Sequence, residues 1–135
     1  MEYISAEEFL KQPKEVQKVF IDWWESNVSK GDLFSPICPK GIGVLNGTEQ
    51  RMDGLIPLFT EGQIRKLIED KTEGIVKVVQ WDPIQDNNRC GYTIYILAKD
   101  RYGVLCEFEY KKLGTDLIQA YWKVACEITS NGGEF

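Results

Sequence analysis

"YTIYILAKDRYGVLCEFEY", Tyr92–Tyr110, holds the contrast on which the fold of this chain turns. Its second half alternates: Val104, Cys106, Phe108 and Tyr110 interleave with Leu105, Glu107 and Glu109. Successive side chains of a strand point to opposite faces, so this pattern is a half-buried edge strand. The first half is apolar on both faces, Tyr92, Ile94 and Ile96 on one and Tyr95 and Leu97 on the other. Such a segment is a central strand, and its second apolar face needs a cover. Asp100-Arg101-Tyr102-Gly103 between the halves is a tight turn. "IVKVVQWD", Ile75–Asp82, adds a strand upstream, so the three form an antiparallel meander.

The segment that follows is a helix, "DLIQAYWKVACEITSNGG", Asp116–Gly133. Gly114-Thr115-Asp116 caps it, with Thr115 expected at its free N–H groups. Gln119, Lys123 and Glu127 stack on one stripe, and nearly everything else down to Ile128 is apolar. At about 100° per residue the apolar arc spans roughly 240°. A helix lying on a single core needs only a little over 100°. Leu117, Tyr121, Val124 and Ile128 are expected on the sheet. Ile118, Trp122, Ala125 and Cys126 then meet either the tryptophan-bearing helix near the N-terminus or a partner, which is a second subunit or a target. Residues 130–135 read as a frayed, glycine-rich tail.

The N-terminal part is helical. Ser5 and Glu8 form a capping box, Pro13 interrupts the helix, and a second helix runs to about Asn27 with Val16, Val19, Phe20, Trp23 and Trp24 on its apolar side. Gly31 ends that unit. Gly31–Met52 reads as short extended segments with turns, Pro36 and Pro39 mark loop or edge backbone, and Asn46-Gly47 is a hairpin signal. "LIPLFTEGQIRKLIEDKTEG", Leu55–Gly74, carries a second capping box at Thr60 and Gln63, then a short amphipathic helix on Ile64, Leu67 and Ile68 that Gly74 ends. The order α-α-β-β-α-β-β-β-α predicts an α+β fold: an antiparallel meander with helices packed on one side, in a single domain over residues 1–135.

Composition narrows the function classes. The 135 residues are 43% hydrophobic and 27% charged, the range of a folded domain with one core. The net charge of −5 disfavours non-specific binding to nucleic acid or an anionic membrane. There is no histidine, which removes the commonest general base and metal ligand and every Ser-His or Cys-His pair. Cys38, Cys90, Cys106 and Cys126 include no C-x-x-C pair, so free thiols in a reducing cytoplasm are expected and zinc is not. No leader and no apolar run near 18 residues is apparent, so the chain reads as neither secreted nor membrane-spanning.

The search for catalytic chemistry yields no site. Glu107 and Glu109 share a strand face, which reads as a solvated surface. Asp82, Asp86 and Asp116 lack a recognised metal spacing, and Gly41-Ile42-Gly43 lacks the helix start of a dinucleotide site. No catalytic residue, cofactor or metal is therefore expected. One cluster invites a ligand. A meander brings "DPIQDNNRCGY" near "YKKLGTD", so Arg89, Tyr92, Lys111, Lys112 and Thr115 gather by the last helix's N-terminus with Asn87, Asn88, Trp81 and Tyr110. Cations, amides, rings and free N–H groups suit a small anion or nucleotide. The competing reading is a solvated loop whose cations Asp82, Asp86 and Asp116 neutralise.

"ISAEEFLKQPKEVQKVFIDWWE", "IPLFTEGQIRKLIEDKTEG" and "DLIQAYWKVACEI", in this order, resemble a group of uncharacterised small accessory proteins of phages and prophages of Gram-positive bacteria. The resemblance spans nearly half the chain and implies a protein that acts inside the bacterial host cytoplasm. It brings no catalytic motif. Its implication is a non-enzymatic anti-defence protein that binds and blocks a bacterial immune component. That component is an effector protein such as a CRISPR nuclease, or a nucleotide immune signal that it sequesters. The alternatives are an enzyme that degrades such a signal and a structural or assembly factor of the phage. The surplus apolar surface also predicts a homo-oligomer, built on Tyr95 and Leu97 of the sheet or on Ile118 and Trp122 of the last helix.

Overall fold

Pro13 divides the N-terminal helical stretch, because a ring at that position cannot continue the ladder of the turn before it. The computed structural model describes residues 2–27, 29, 31–36, 42–44, 55–81 and 91–130. In it, α1 covers Ala6–Leu10 and α2 covers Lys14–Asn27. The Ser5 hydroxyl accepts the Glu8 N–H at 3.2 Å, the capping expected of that sequence. By its internal contacts the chain divides into two compact units, Tyr3–Phe59 and the residues from Thr60 onward.

In the first unit, β1 (Leu33–Pro36), β2 (Gly43–Val44) and β3 (Leu55–Pro57) form a small antiparallel sheet in the order β2-β1-β3. Phe34 pairs with Gly43 on one side and Pro57 on the other. The Phe34 ring lies so close over Gly43 that a β-carbon there would collide with it. Pro57 sits on an edge strand, where its missing N–H leaves no ladder bond unmade. In the sequence pattern "LIPLF" only precedes the Thr60 capping box, and the structure makes Leu55–Pro57 a strand. The core is aromatic: Phe9 and Phe20 pack edge to face at 6.3 Å, and Phe59 lies 5.4 Å from Phe20 and 6.2 Å from Trp23. The Ile4 N–H donates to the Phe59 carbonyl at 2.8 Å and ties the first residues to this core. The Asn46-Gly47 turn, Pro39 and the tail beyond Ser130 lie outside the described residues.

The second unit carries α3 (Glu61–Thr72), β4 (Ile75–Trp81), β5 (Gly91–Lys99), β6 (Leu105–Tyr110) and α4 (Leu117–Ser130). The Thr60 N–H donates to Gln63 Oε1 at 2.9 Å at the start of α3. Glu73 takes the left-handed conformation that ends this helix, and Gly74 follows against β5, where a β-carbon would meet the Leu97 carbonyl oxygen at 2.8 Å. Strands β4, β5 and β6 form the expected antiparallel meander, with Leu97 between Ile75 and Glu107 and Tyr95 between Lys77 and Glu109.

One face of this sheet, with Val76, Ile94, Ile96 and Ala98, is buried, and α4 packs on β5 while α3 packs on α4 and β4. The helices of this unit thus cover one side of the meander, and the fold is α+β. The width of the α4 arc has a partner within its own unit: α3 lies beside it. Ile118, Ala120, Tyr121, Trp122, Val124, Ala125 and Ile128 are all buried, and so are Trp23 and Trp24. Among the described residues no helix is long and apolar enough to cross a membrane.

Candidate functional site

The end of β6 and the start of α4 make a corner against the first residues of β5. The Tyr92 N–H donates to the Gly114 carbonyl at 2.8 Å. Both Gly91 (φ +91°) and Gly114 (φ +85°) occupy left-handed backbone, and a β-carbon on Gly91 would collide with the Gly114 carbonyl. The two glycines let the backbones cross, which brings Tyr92 close to the Lys111–Thr115 segment as the sequence implies. Lys112 also has positive φ, at 57°. Lys123 reaches back from α4 and donates to the Leu113 carbonyl at 3.2 Å.

The electrostatics of this corner differ from expectation in one respect. The cap of α4 is Asp116, whose Oδ1 accepts the Gln119 N–H at 3.3 Å and whose carbonyl accepts the Ala120 N–H at 2.9 Å. Thr115 precedes the cap and is exposed. A carboxylate therefore stands at the positive end of the helix dipole, where a bound anion would otherwise sit. Lys111 is held by Glu109 at 3.1 Å. Burial raises the Tyr110 hydroxyl above its ordinary range, and Glu127 adds to the effect. Arg89, Asn87, Asn88, Asp82 and Asp86 lie outside the described residues, as do Cys38 and Cys90. Among the described residues no group of three or more potential metal ligands gathers, and Cys106 and Cys126 are half-buried.

The sheet offers a second surface on the face opposite the helices. Ile75 is 68% exposed and pairs directly with Leu97, which is 38% exposed. Leu105, 62% exposed, stands on β6 opposite Lys99. Tyr95 is half-buried between Lys77 and Glu109, both exposed. Toward the other end of β5, Thr93 is buried, and its hydroxyl has no hydrogen-bond partner among the described residues. Of the four residues expected at a subunit contact, Leu97 and Tyr95 are on this open face. Ile118 and Trp122 are interior.

The third feature is legible in the sequence only as a turn. Asp100 Oδ1 accepts the N–H groups of Tyr102 at 2.8 Å and Val104 at 3.0 Å, and the Gly103 N–H donates to the Asp100 carbonyl at 3.0 Å. Gly103 supplies the positive φ, 79°, that closes the hairpin. This bracing holds Tyr102 in water at 75% exposure, with the Arg101 guanidinium 5.0 Å from its ring centre. Val104 beside it is 56% exposed. An Asp three residues before a Gly signals the turn, but exposure of its tyrosine is a tertiary property that the sequence does not encode locally. Comparison with models of protein families, with curated proteins and with solved structures returns no match for this chain, so the reading of these surfaces rests on their chemistry.

Proposed function

We propose that this chain is a non-enzymatic binding protein of phage or prophage origin that docks on a protein component of bacterial defence and blocks it inside the host cell. The β5–β6 hairpin tip supports this reading. Tyrosine and arginine dominate the energetics of protein interfaces, because each presents a large, stiff contact surface with a polar end. Here Arg101 and Tyr102 stack on one another on a turn that Asp100 braces from below, so little ordering remains for a partner to impose. A protein target fits better than a nucleotide. The corner that suits an anion by sequence has Asp116 on the helix terminus and Lys111 paired with Glu109.

The test expresses the chain in hosts that each carry one defence system and measures phage plaquing. Relief of one system by the wild-type chain, lost with Tyr102→Ala at unchanged melting temperature, is the expected result. Binding to that system's purified effector should then weaken by at least about tenfold in the same variant, the loss of one interface anchor. Relief of no system would end the anti-defence reading. Release of an intact nucleotide on heating would turn the target from an effector protein to a sequestered signal, and release of a degraded one would make the chain an enzyme.

A further inference from the structure

We infer that Arg65 guards an edge of the β4–β5–β6 sheet: its guanidinium, seated on the Val76 carbonyl, keeps β4 from pairing with β4 of a second copy of this chain. The direction of the strand hydrogen bonds identifies that edge. The Tyr92 N–H donates to the Gly114 carbonyl beyond β6, and the Asp100 N–H donates to the Val104 carbonyl across the β5–β6 turn. Successive residues of a strand bond to opposite neighbours. The even-numbered residues of β5 therefore bond to β6, and its odd-numbered residues bond to β4, at Ile75, Lys77, Val79 and Trp81. Val76, Val78 and Gln80 are left with their N–H and C=O groups turned outward. Among the described residues no strand pairs with that edge.

A row of outward backbone groups is a template for another strand. Arg65 occupies its first acceptor. From α3, Nη2 donates to the Val76 carbonyl at 3.2 Å, across eleven residues of sequence. Glu69, one turn on, fixes the guanidinium by accepting from Nε at 3.0 Å. The cation thus bonds to the strand edge as well as to its own helix.

The two edges of the sheet differ in their need for such a guard. On β6, an antiparallel pairing of two copies about a twofold axis centred on Glu107, Phe108 or Glu109 sets a glutamate opposite a glutamate, which is unfavourable. On β4 the same operation centred on Val78 brings Ile75 opposite Trp81 and Lys77 opposite Val79, with no like charges in register. Val76 then faces Gln80 of the other copy, whose N–H would donate to the Val76 carbonyl. That acceptor is the one the Arg65 guanidinium takes. In a symmetric pair the block acts twice. The β6 edge is protected by its own carboxylates, and the β4 edge, whose one charge is Lys77, by a side chain from α3. This role stands apart from the identity of any target.

Analytical ultracentrifugation of the full chain, with amide hydrogen exchange on the same samples, tests the guard. Arg65→Ala should associate at least about tenfold more tightly than the wild type, since two acceptors per pair become available. The outward N–H groups of Val78 and Gln80 should gain protection at the concentrations where that pair forms. Arg65→Ala/Gln80→Pro should return to the association of the wild type, because proline removes the donor at an exposed position whose N–H makes no bond to β5. If proline there prevents folding, Arg65→Ala/Val79→Lys sets a lysine opposite Lys77 of the other copy and carries the same expectation. If Arg65→Ala itself does not melt cooperatively, Glu69→Ala frees the guanidinium from its anchor and should raise association in the same direction. A folded Arg65→Ala that associates no more than the wild type overturns the inference. So does association that leaves Val78 and Gln80 unprotected or that survives both second changes.

Discussion

Gln17 carries an amide into the interior because the chain breaks four residues before it. Pro13 stops the first helix, and the carbonyls of Leu10 and Gln12 lose the donors that a continuing helix would offer. Gln17 Nε2 donates to both, at 3.2 Å and 2.8 Å, and the side chain is buried as a result. Gln17→Leu keeps the volume and removes the donor. It should lower stability by about 1–3 kcal/mol, the cost of two carbonyls without partners. Urea unfolding should show a lower midpoint at unchanged slope. An unshifted midpoint would mean that water reaches these carbonyls. The need for a donor was legible in Pro13. The residue that answers it was not, because position 17 lies on the same α2 turn as apolar Val16 and reads as one more polar residue of that helix. Gly91 shows the same limit: its φ and the crossing of Gly114 depend on a backbone more than twenty residues away.

At the scale of elements, α4 is the clearest case. Its periodicity fixed its extent, and its wide apolar arc implied two neighbours, which proved to include α3 and β5. The cap is where a one-residue difference matters. Thr115 and Asp116 are both good capping residues, and sequence alone ranks them almost equally. The backbone decides, since the Asp116 carbonyl opens the helical ladder and its side chain accepts the Gln119 N–H. Asp116→Ala should therefore cost about 1 kcal/mol in thermal or chemical unfolding, and Thr115→Ala close to nothing. The reverse order of effects would return the cap to Thr115. The sheet shows the complementary lesson. The alternation in Leu105–Tyr110 identified an edge strand, yet the same alternation cannot say which neighbour, if any, covers the open face of the central strand beside it.

For the whole molecule, buried Tyr121 and half-buried Tyr110 tie stability to high pH. Burial raises the hydroxyl of Tyr110, with Glu127 adding, and that of Tyr121, with Arg65 beside it opposing the rise, both above the ordinary value of 10.0. The folded chain thus holds these protons more tightly than the unfolded one. The stability linked to them is complete below about pH 10 and is lost as pH climbs through the raised folded values. Melting temperature should fall above pH 10, and Tyr110→Phe/Tyr121→Phe should flatten that fall. An equal fall in the double variant would assign it to other groups. What the sequence by itself determined is everything written in residues a few positions apart: a period of two in Leu105–Tyr110, the helical period in Leu117–Ile128, and the breaks at Pro13 and Gly74. Local sterics and the pattern of burial set these. The tertiary structure decided the rest. It paired β3 with β1 in a separate small sheet, and it laid α3 beside α4. It buried Ile118 and Trp122, and it left Ile75, Leu97 and Tyr102 in water. The physical reason is that an apolar side chain reads the same in sequence whether or not a distant element covers it, and only the assembled chain supplies that cover.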